Sequence, residues 1–256
     1  MEPAEYEYMF HLEDAYWWYV GMRHISEKLL RRDLLPGTAR RADDGHGQCL
    51  RVLDAGSGTG GSLNLLKRFG EVTAFDFEPR AAAMYKTRQE GRICVASIDA
   101  IPFADNTFDL VTAFDVICQL PTPADELALR ELSRVLKPGA GLFVRVPAFQ
   151  FLYGPHDKVL HTRHRYAAAE MKAKLTSAGL IPLRTTYANT LLFPVALGRR
   201  MLSKLLPNGA PTDSDVRPLP APLNILFKTI LSTEAPLISR WGLPFGLSLV
   251  ALARKP

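Results

Sequence analysis

The run Asp54-Ala55-Gly56-Ser57-Gly58-Thr59-Gly60 places three glycines at alternate positions behind an acidic residue. Glycine lets a backbone turn tightly and approach a ligand closely, and the amides that open a following helix can donate to it. The spacing is GxGxG and not the GxGxxG of dinucleotide sites. A carboxylate two places before the first glycine would repel a pyrophosphate but attract an amino group or a sulfonium. Asp76 ends the apolar stretch Val72–Phe75, where a carboxylate can accept both hydroxyls of a ribose. Phe77 is placed to cover one adenine face, and the turn Ala96-Ser97-Ile98-Asp99 offers a polar group to the adenine edge. Each signal alone is weak, since a lone aspartate at a strand end is ordinarily a cap or turn former. All three, in this order, point to one nucleoside site.

The elements that must carry these residues follow from periodicity. Leu50–Asp54 reads as a short buried strand, with a glycine-rich turn and the apolar-periodic helix Ser62–Phe69 behind it. Further strands are expected at Val72–Phe75, Ile93–Val95, Phe108–Phe114, Gly141–Pro147, Leu180–Tyr187 and Phe245–Arg254. Helices are expected between them at Pro79–Glu90, Pro123–Leu136 and Ala167–Ala178, with Lys137-Pro-Gly139 stopping the second sharply. Alternation of this kind predicts a mostly parallel α/β sheet with helices on both faces, which binds ligands beyond the carboxyl ends of its strands. Residues 4–35 read as helical, and Ala188 to Pro244 as an apolar insert of two helices around the loop Pro207–Pro222.

The segments VLDAGSGTG, VTAFDFEP, IPFADNTFDLV and ELSRVLKPGAGLFV resemble the motifs of class I S-adenosylmethionine-dependent methyltransferases, over about Arg51 to Val146. The resemblance implies a Rossmann-like, doubly wound, mostly parallel sheet with an antiparallel last strand. It also implies S-adenosyl-L-methionine as cofactor and S-adenosyl-L-homocysteine as product. Asp54, Gly56, Ser57, Gly58 and Gly60 would then hold the methionine part and Asp76 the ribose. Phe77, Ser97 and Ile98 would hold the adenine, with Asp115 also in the cofactor set. Two positions depart from the pattern: Ser97 stands where many relatives carry Asp, and Cys118-Gln119 stands where relatives often read Glu-His. No metal or base role is transferred to that turn, and no metal is expected.

Transfer from a sulfonium is an in-line displacement, so the protein must chiefly align donor and acceptor and exclude water. A hydroxyl acceptor also needs its proton removed, for which histidine suits. Three of the six histidines fall between Phe151 and Tyr166. His156, Asp157 and His161 are therefore the catalytic candidates, and O-methylation is favoured. The same segment also reads as packing onto the sheet, as an anion grip through Arg163 and Arg165, or, at a spacing that matches no standard site, as metal ligands His156, Asp157, His161 and His164. Tyr153, Arg165 and Tyr166 are the acceptor-binding candidates there. In the aromatic N-terminal run Trp18 and Tyr19 are candidates too, with Arg23 able to pair with a methionine carboxylate; packing of that run is the plainer alternative. The segments AYWWYVGMRH, HDKVLHTRHRY and LPFGLSLVALARK resemble a bacterial subgroup often encoded near glycosyltransferases, which implies a small or lipid- or glycan-linked acceptor. His164 stands where relatives often have Arg.

Bulk properties bound the rest. The 256 residues are 47% hydrophobic and 22% charged, which suits one α/β domain and argues against disorder. The expected organisation is a single domain, 1–256: a helical cap over 1–37, a core over 48–187 and 245–256, and the insert over 188–244. Cys49, Cys94 and Cys118 form no CxxC pair, and the start is acidic and aromatic, so a cytoplasmic protein is expected. The run Thr185 to Gly198 is too short to span a bilayer. From Met171 to Pro256 there are eleven Lys/Arg against three acids, so this third carries +8 of a net +5. That face, with the apolar insert, reads first as an acceptor wall or lid, then as a homodimer surface or a peripheral contact with the inner membrane face. No nucleic acid partner is expected, since no stacking-platform pattern occurs. A nucleic-acid methyltransferase and a non-catalytic, cofactor-binding partner protein are the alternatives.

Overall fold

The computed structural model describes residues 3–35, 49–88, 92–198 and 218–256. Seven strands form one sheet: β1 (Leu50–Ala55), β2 (Gly70–Asp76), β3 (Arg92–Val95), β4 (Phe108–Phe114), β5 (Leu136–Pro147), β6 (Ile181–Ala188) and β7 (Ser248–Arg254). Their order is β3-β2-β1-β4-β5-β7-β6. Only β7 runs against its neighbours, so the doubly wound, mostly parallel sheet with an antiparallel last strand is present. Strand order reverses between β1 and β4, which opens a crevice beyond the carboxyl end of β1.

The central strands are apolar on both faces because helices cover both. Successive residues point to opposite sides, and the buried residues sort accordingly. Leu53, Val111 and Val144 pack in one layer with Leu132 of α5 (Ala124–Val135) and Met171 of α7 (Ala168–Ser177). Val52, Leu110 and Phe143 pack in the other with Met22 and Ile25 of α2 (Trp17–Leu29). Leu231 and Ile238 of α8 (Ala221–Arg240) join that second layer. Between these lie α3 (Leu63–Leu66), α4 (Pro79–Arg88) and α6 (Pro155–Val159).

Residues 4–35 are helical, in pieces: α1 (Pro3–Leu12) is broken from α2 at 13–16, and a π-helical turn, Leu30–Leu34, follows. Within the insert α8 is a core element; Gly21 lies so close to it that a Cβ would stand 2.6 Å from Leu231 Cδ2. The strand expected from Phe245 starts at Ser248, since Gly246 packs against Ala188, where a Cβ would meet its carbonyl oxygen at 2.3 Å. A second helical stretch of the insert covers 193–198; most of the expected loop Pro207–Pro222 lies outside the described residues. Among the described residues, no helix is long and apolar enough to cross a membrane.

Candidate active site

The glycine loop turns where β1 leaves the sheet. The Gly56 and Ser57 amides donate to Phe75 O of β2, at 2.9 and 3.0 Å. Gly56 has φ +69, and a Cβ there would meet Val116 Cγ2 at 2.5 Å, so both backbone and space require glycine. Asp76, at the end of β2, accepts the Gly58 amide at 2.7 Å and the Glu78 amide at 2.9 Å. It thereby fixes the loop and still has lone pairs to offer. Gly60 does more for packing than for the crevice, since a Cβ on it would stand 2.8 Å from Tyr85 Cδ2.

Asp54 lies beneath this loop, 1% exposed. Its Oδ1 accepts the Thr112 hydroxyl at 2.9 Å, and its Oδ2 is buried with no hydrogen-bond partner among the described residues. Burial pushes its carboxyl up to about 7, against the opposing Thr112 bond and with help from the nearby Asp76 charge. Keeping this group ionised without a counter-charge costs about 4 kcal/mol. A buried carboxylate with one unmatched oxygen is a poor structural element and a good receptor for a cationic group. The residues present therefore fit the ammonium and sulfonium of S-adenosylmethionine.

One cavity of about 990 Å³ unites this loop with the acceptor-side segments. That is the upper end of the range for a single small ligand, about 300–1,000 Å³, and leaves room for a nucleoside and a second molecule. Asp54, Gly56, Ser57, Gly58, Asp76, Phe77, Ser97, Ile98 and Asp115 line it, as do Trp18, Tyr19, Arg23, His156, Asp157, His161 and Arg165. Phe77 is 76% exposed, free to lie on a ring. The Ser97 hydroxyl donates to Asp99 within its turn.

Several candidates hold other positions than expected. Tyr166 is fully buried beneath the loop and gives its hydroxyl to Asp125 Oδ2 at 3.0 Å, so it is a core residue and not a cavity wall. Tyr153 also stands outside the cavity. Asp157, 2% exposed, accepts Arg165 Nε at 2.8 Å and the Gly154 amide at 2.7 Å. This ion pair, with Arg165 Nη1 donating to Ala148 O at 3.1 Å, fastens the histidine segment to the end of β5. His161 sits in the left-handed region at φ +55, and His164 pairs with Glu170 at 2.8 Å.

Sequence reasoning missed three residues. Glu13, in the break between α1 and α2, accepts the Thr59 hydroxyl and pairs with Arg88 at 2.7 Å; burial raises its carboxyl to about 6. Arg23 fills the same corner, its Nη1 donating to Glu13 O at 2.7 Å and Gly61 O at 3.3 Å. Arg145 of β5 binds Asp115 through Nε at 2.7 Å and Nη2 at 2.6 Å, sandwiched 4.9 Å from each of the Trp18 and Phe114 rings. The third, Asn189, follows β6 and lines the cavity. Glu13 and Arg145 contact partners distant in the chain, and no local spacing signals such pairs.

Residues 53–144 match the family described as Methyltransferase domain. The ubiquinone/menaquinone biosynthesis C-methyltransferase of Roseobacter denitrificans is 36% identical over 104 residues, 37% of this chain and 41% of that protein. The malonyl-[acyl-carrier protein] O-methyltransferase of Erwinia pyrifoliae is 40% identical over 98 residues, 36% of each. The chain thus spans less than half the length of these curated relatives. Its fold is similar to a chain from the Haloferax volcanii complex that contains the Trm112 methyltransferase activator: TM-score 0.61, 19% identity, 99% of this chain and 93% of that one.

Proposed function

We propose that the protein, whose residues 53–144 match a methyltransferase domain, transfers the methyl group of S-adenosylmethionine to a small or lipid- or glycan-linked acceptor, on oxygen for preference. The bound donor supplies a methyl group on a sulfonium, a leaving group that needs no further activation. Asp54 faces its amino and sulfonium end, Arg23 its carboxylate, and Asp76 the ribose; Phe77, Ser97 and Ile98 take the adenine. The observation that carries this reading is the unmatched, buried Oδ2 of Asp54 beneath the glycine loop.

The acceptor half of the reading rests on the cavity's other walls. His156 and His161 both line it, beside Trp18, Tyr19 and the Asp115–Arg145 pair. Either histidine can take the proton of a hydroxyl acceptor. Leu192, Val195 and Phe227 of the insert make the wall apolar on that side, which suits the lid-and-wall reading of 188–244. A dimer or anionic-lipid contact would use the outward residues of the same insert, such as Ile225 and Trp241, 56% and 70% exposed. Carbon is the second choice of acceptor atom, favoured by the similarity to a C-methyltransferase. Incubation with methyl-labelled S-adenosylmethionine and a cell extract, followed by identification of the labelled product, tests the assignment. A methyl ether or ester supports oxygen, a methyl on carbon replaces it, and no labelled product overturns the activity.

A further inference from the structure

Asn189 stands where β6 ends, on the same sheet edge as Asp115 and Pro147. It is 1% exposed, lines the cavity, and its Oδ1 receives no hydrogen bond among the described residues. Its φ of +61 lies in the left-handed region, which asparagine tolerates better than other residues with a side chain.

The turn that presents it is clamped from two sides. Glu234 of α8, fully buried, accepts the Leu191 amide at 2.7 Å through Oε1, while its Oε2 has no hydrogen-bond partner among the described residues, and burial raises its carboxyl. The Thr190 hydroxyl donates to Phe245 O, and Gly246 closes directly onto Ala188. A fully buried carboxylate that takes the Leu191 amide is an expensive way to hold a turn unless the turn has to present something. What it presents is an amide oxygen beside Leu192, Ala196 and Leu247, which also line the cavity.

We propose that Asn189 is a specificity-determining residue for the acceptor. Its side-chain oxygen receives a hydrogen bond from an O–H or N–H group set in an otherwise apolar molecule. This rests on the reading of that end of the cavity as the acceptor's. An apolar wall alone discriminates poorly between a hydroxylated molecule and its deoxy analogue, whereas an unpaired buried acceptor penalises the analogue.

Binding of 2-naphthol and of 2-methylnaphthalene, which match in shape and differ in the hydroxyl, tests this on the whole protein with and without S-adenosylhomocysteine. Wild type is expected to prefer the naphthol by about tenfold. Asn189→Gly keeps the left-handed backbone and Asn189→Leu fills the space with carbon; each is expected to abolish the preference and to leave S-adenosylhomocysteine affinity within about twofold of wild type. Equal binding of the two probes, no binding of either, or a preference that survives in both variants would overturn the role of Asn189. Failure to bind S-adenosylhomocysteine counts instead against the methyl-transfer reading.

Discussion

The Thr59 hydroxyl, at the tip of the glycine loop, donates to the Glu13 carboxylate in the break between the first two helices. The glycine loop and the N-terminal helices are therefore one structure. Arg88 pairs with the same carboxylate at 2.7 Å, and Arg23 ties the Glu13 and Gly61 carbonyls together. Gly61 has no room for a side chain here, since a Cβ would lie 2.1 Å from Glu13 Oε2.

Gly61→Ala is expected to push the cap away from the loop. S-adenosylhomocysteine affinity should fall by about tenfold or more, and the fold should lose about 1–3 kcal/mol. Calorimetry and denaturant unfolding read the two effects. Wild-type values for both would show that the cap does not hold the loop.

Asp54 should make cofactor binding depend on pH. In the protein alone its carboxyl is raised to about 7, against about 3.9 in an unfolded chain. That raised value stabilises the fold fully below about pH 4, and the stabilisation is lost as pH rises through about 7. A cationic ligand requires the carboxylate, so affinity should rise with pH to about 7 and then level, by up to about tenfold per unit below it. Thr112→Val removes a bond that favours the charged form and should move the midpoint upward. Titration calorimetry across this range checks both. Glu13 titrates near 6, and Glu13→Gln separates its share.

His161 is already in the left-handed region, so His161→Asn removes the imidazole at little backbone cost. If His161 is the base for a hydroxyl acceptor, turnover should fall by about a hundredfold with donor affinity unchanged, and the pH–rate profile should change shape. An unaltered profile would shift the role to His156, and an unaltered profile in both variants would remove the base.

Gly21→Val would drive a side chain into Leu231, to which a Cβ would already stand within 2.6 Å. Since α8 holds the Asn189 turn through Glu234, the variant should lose about 1–3 kcal/mol and weaken acceptor turnover more than donor binding. Steady-state kinetics in both substrates separates the two.

The geometry of the proposed donor half was legible in the sequence because its residues meet close to where they stand in the chain. Gly56 must turn, Asp54 and Asp76 end adjacent parallel strands, and both facts follow from local pattern. The sheet was legible for the same reason, with errors confined to ends: β5 begins at Leu136, ahead of Gly141, because Leu136 pairs with Phe108 before the Pro138-Gly139 turn. The acceptor half depends on distant contacts. The cap breaks at 13–16 without proline or glycine, and that break is what lets Glu13 reach Thr59. Tyr166 reads as an acceptor-binding residue until Asp125, 41 residues earlier, is seen to take its hydroxyl. Asn189 carries no motif, and only the fold places its oxygen in a cavity.

The central claim is that Asp54, the glycine loop and Asp76 hold S-adenosylmethionine. Calorimetry with S-adenosylhomocysteine on wild type and on Asp76→Ala, both shown folded by circular dichroism, tests it most directly. Single-site binding by the wild type, weakened by about a hundredfold or more in the variant, is the predicted result. No heat with the wild type, or equal affinity in the two proteins, would contradict it.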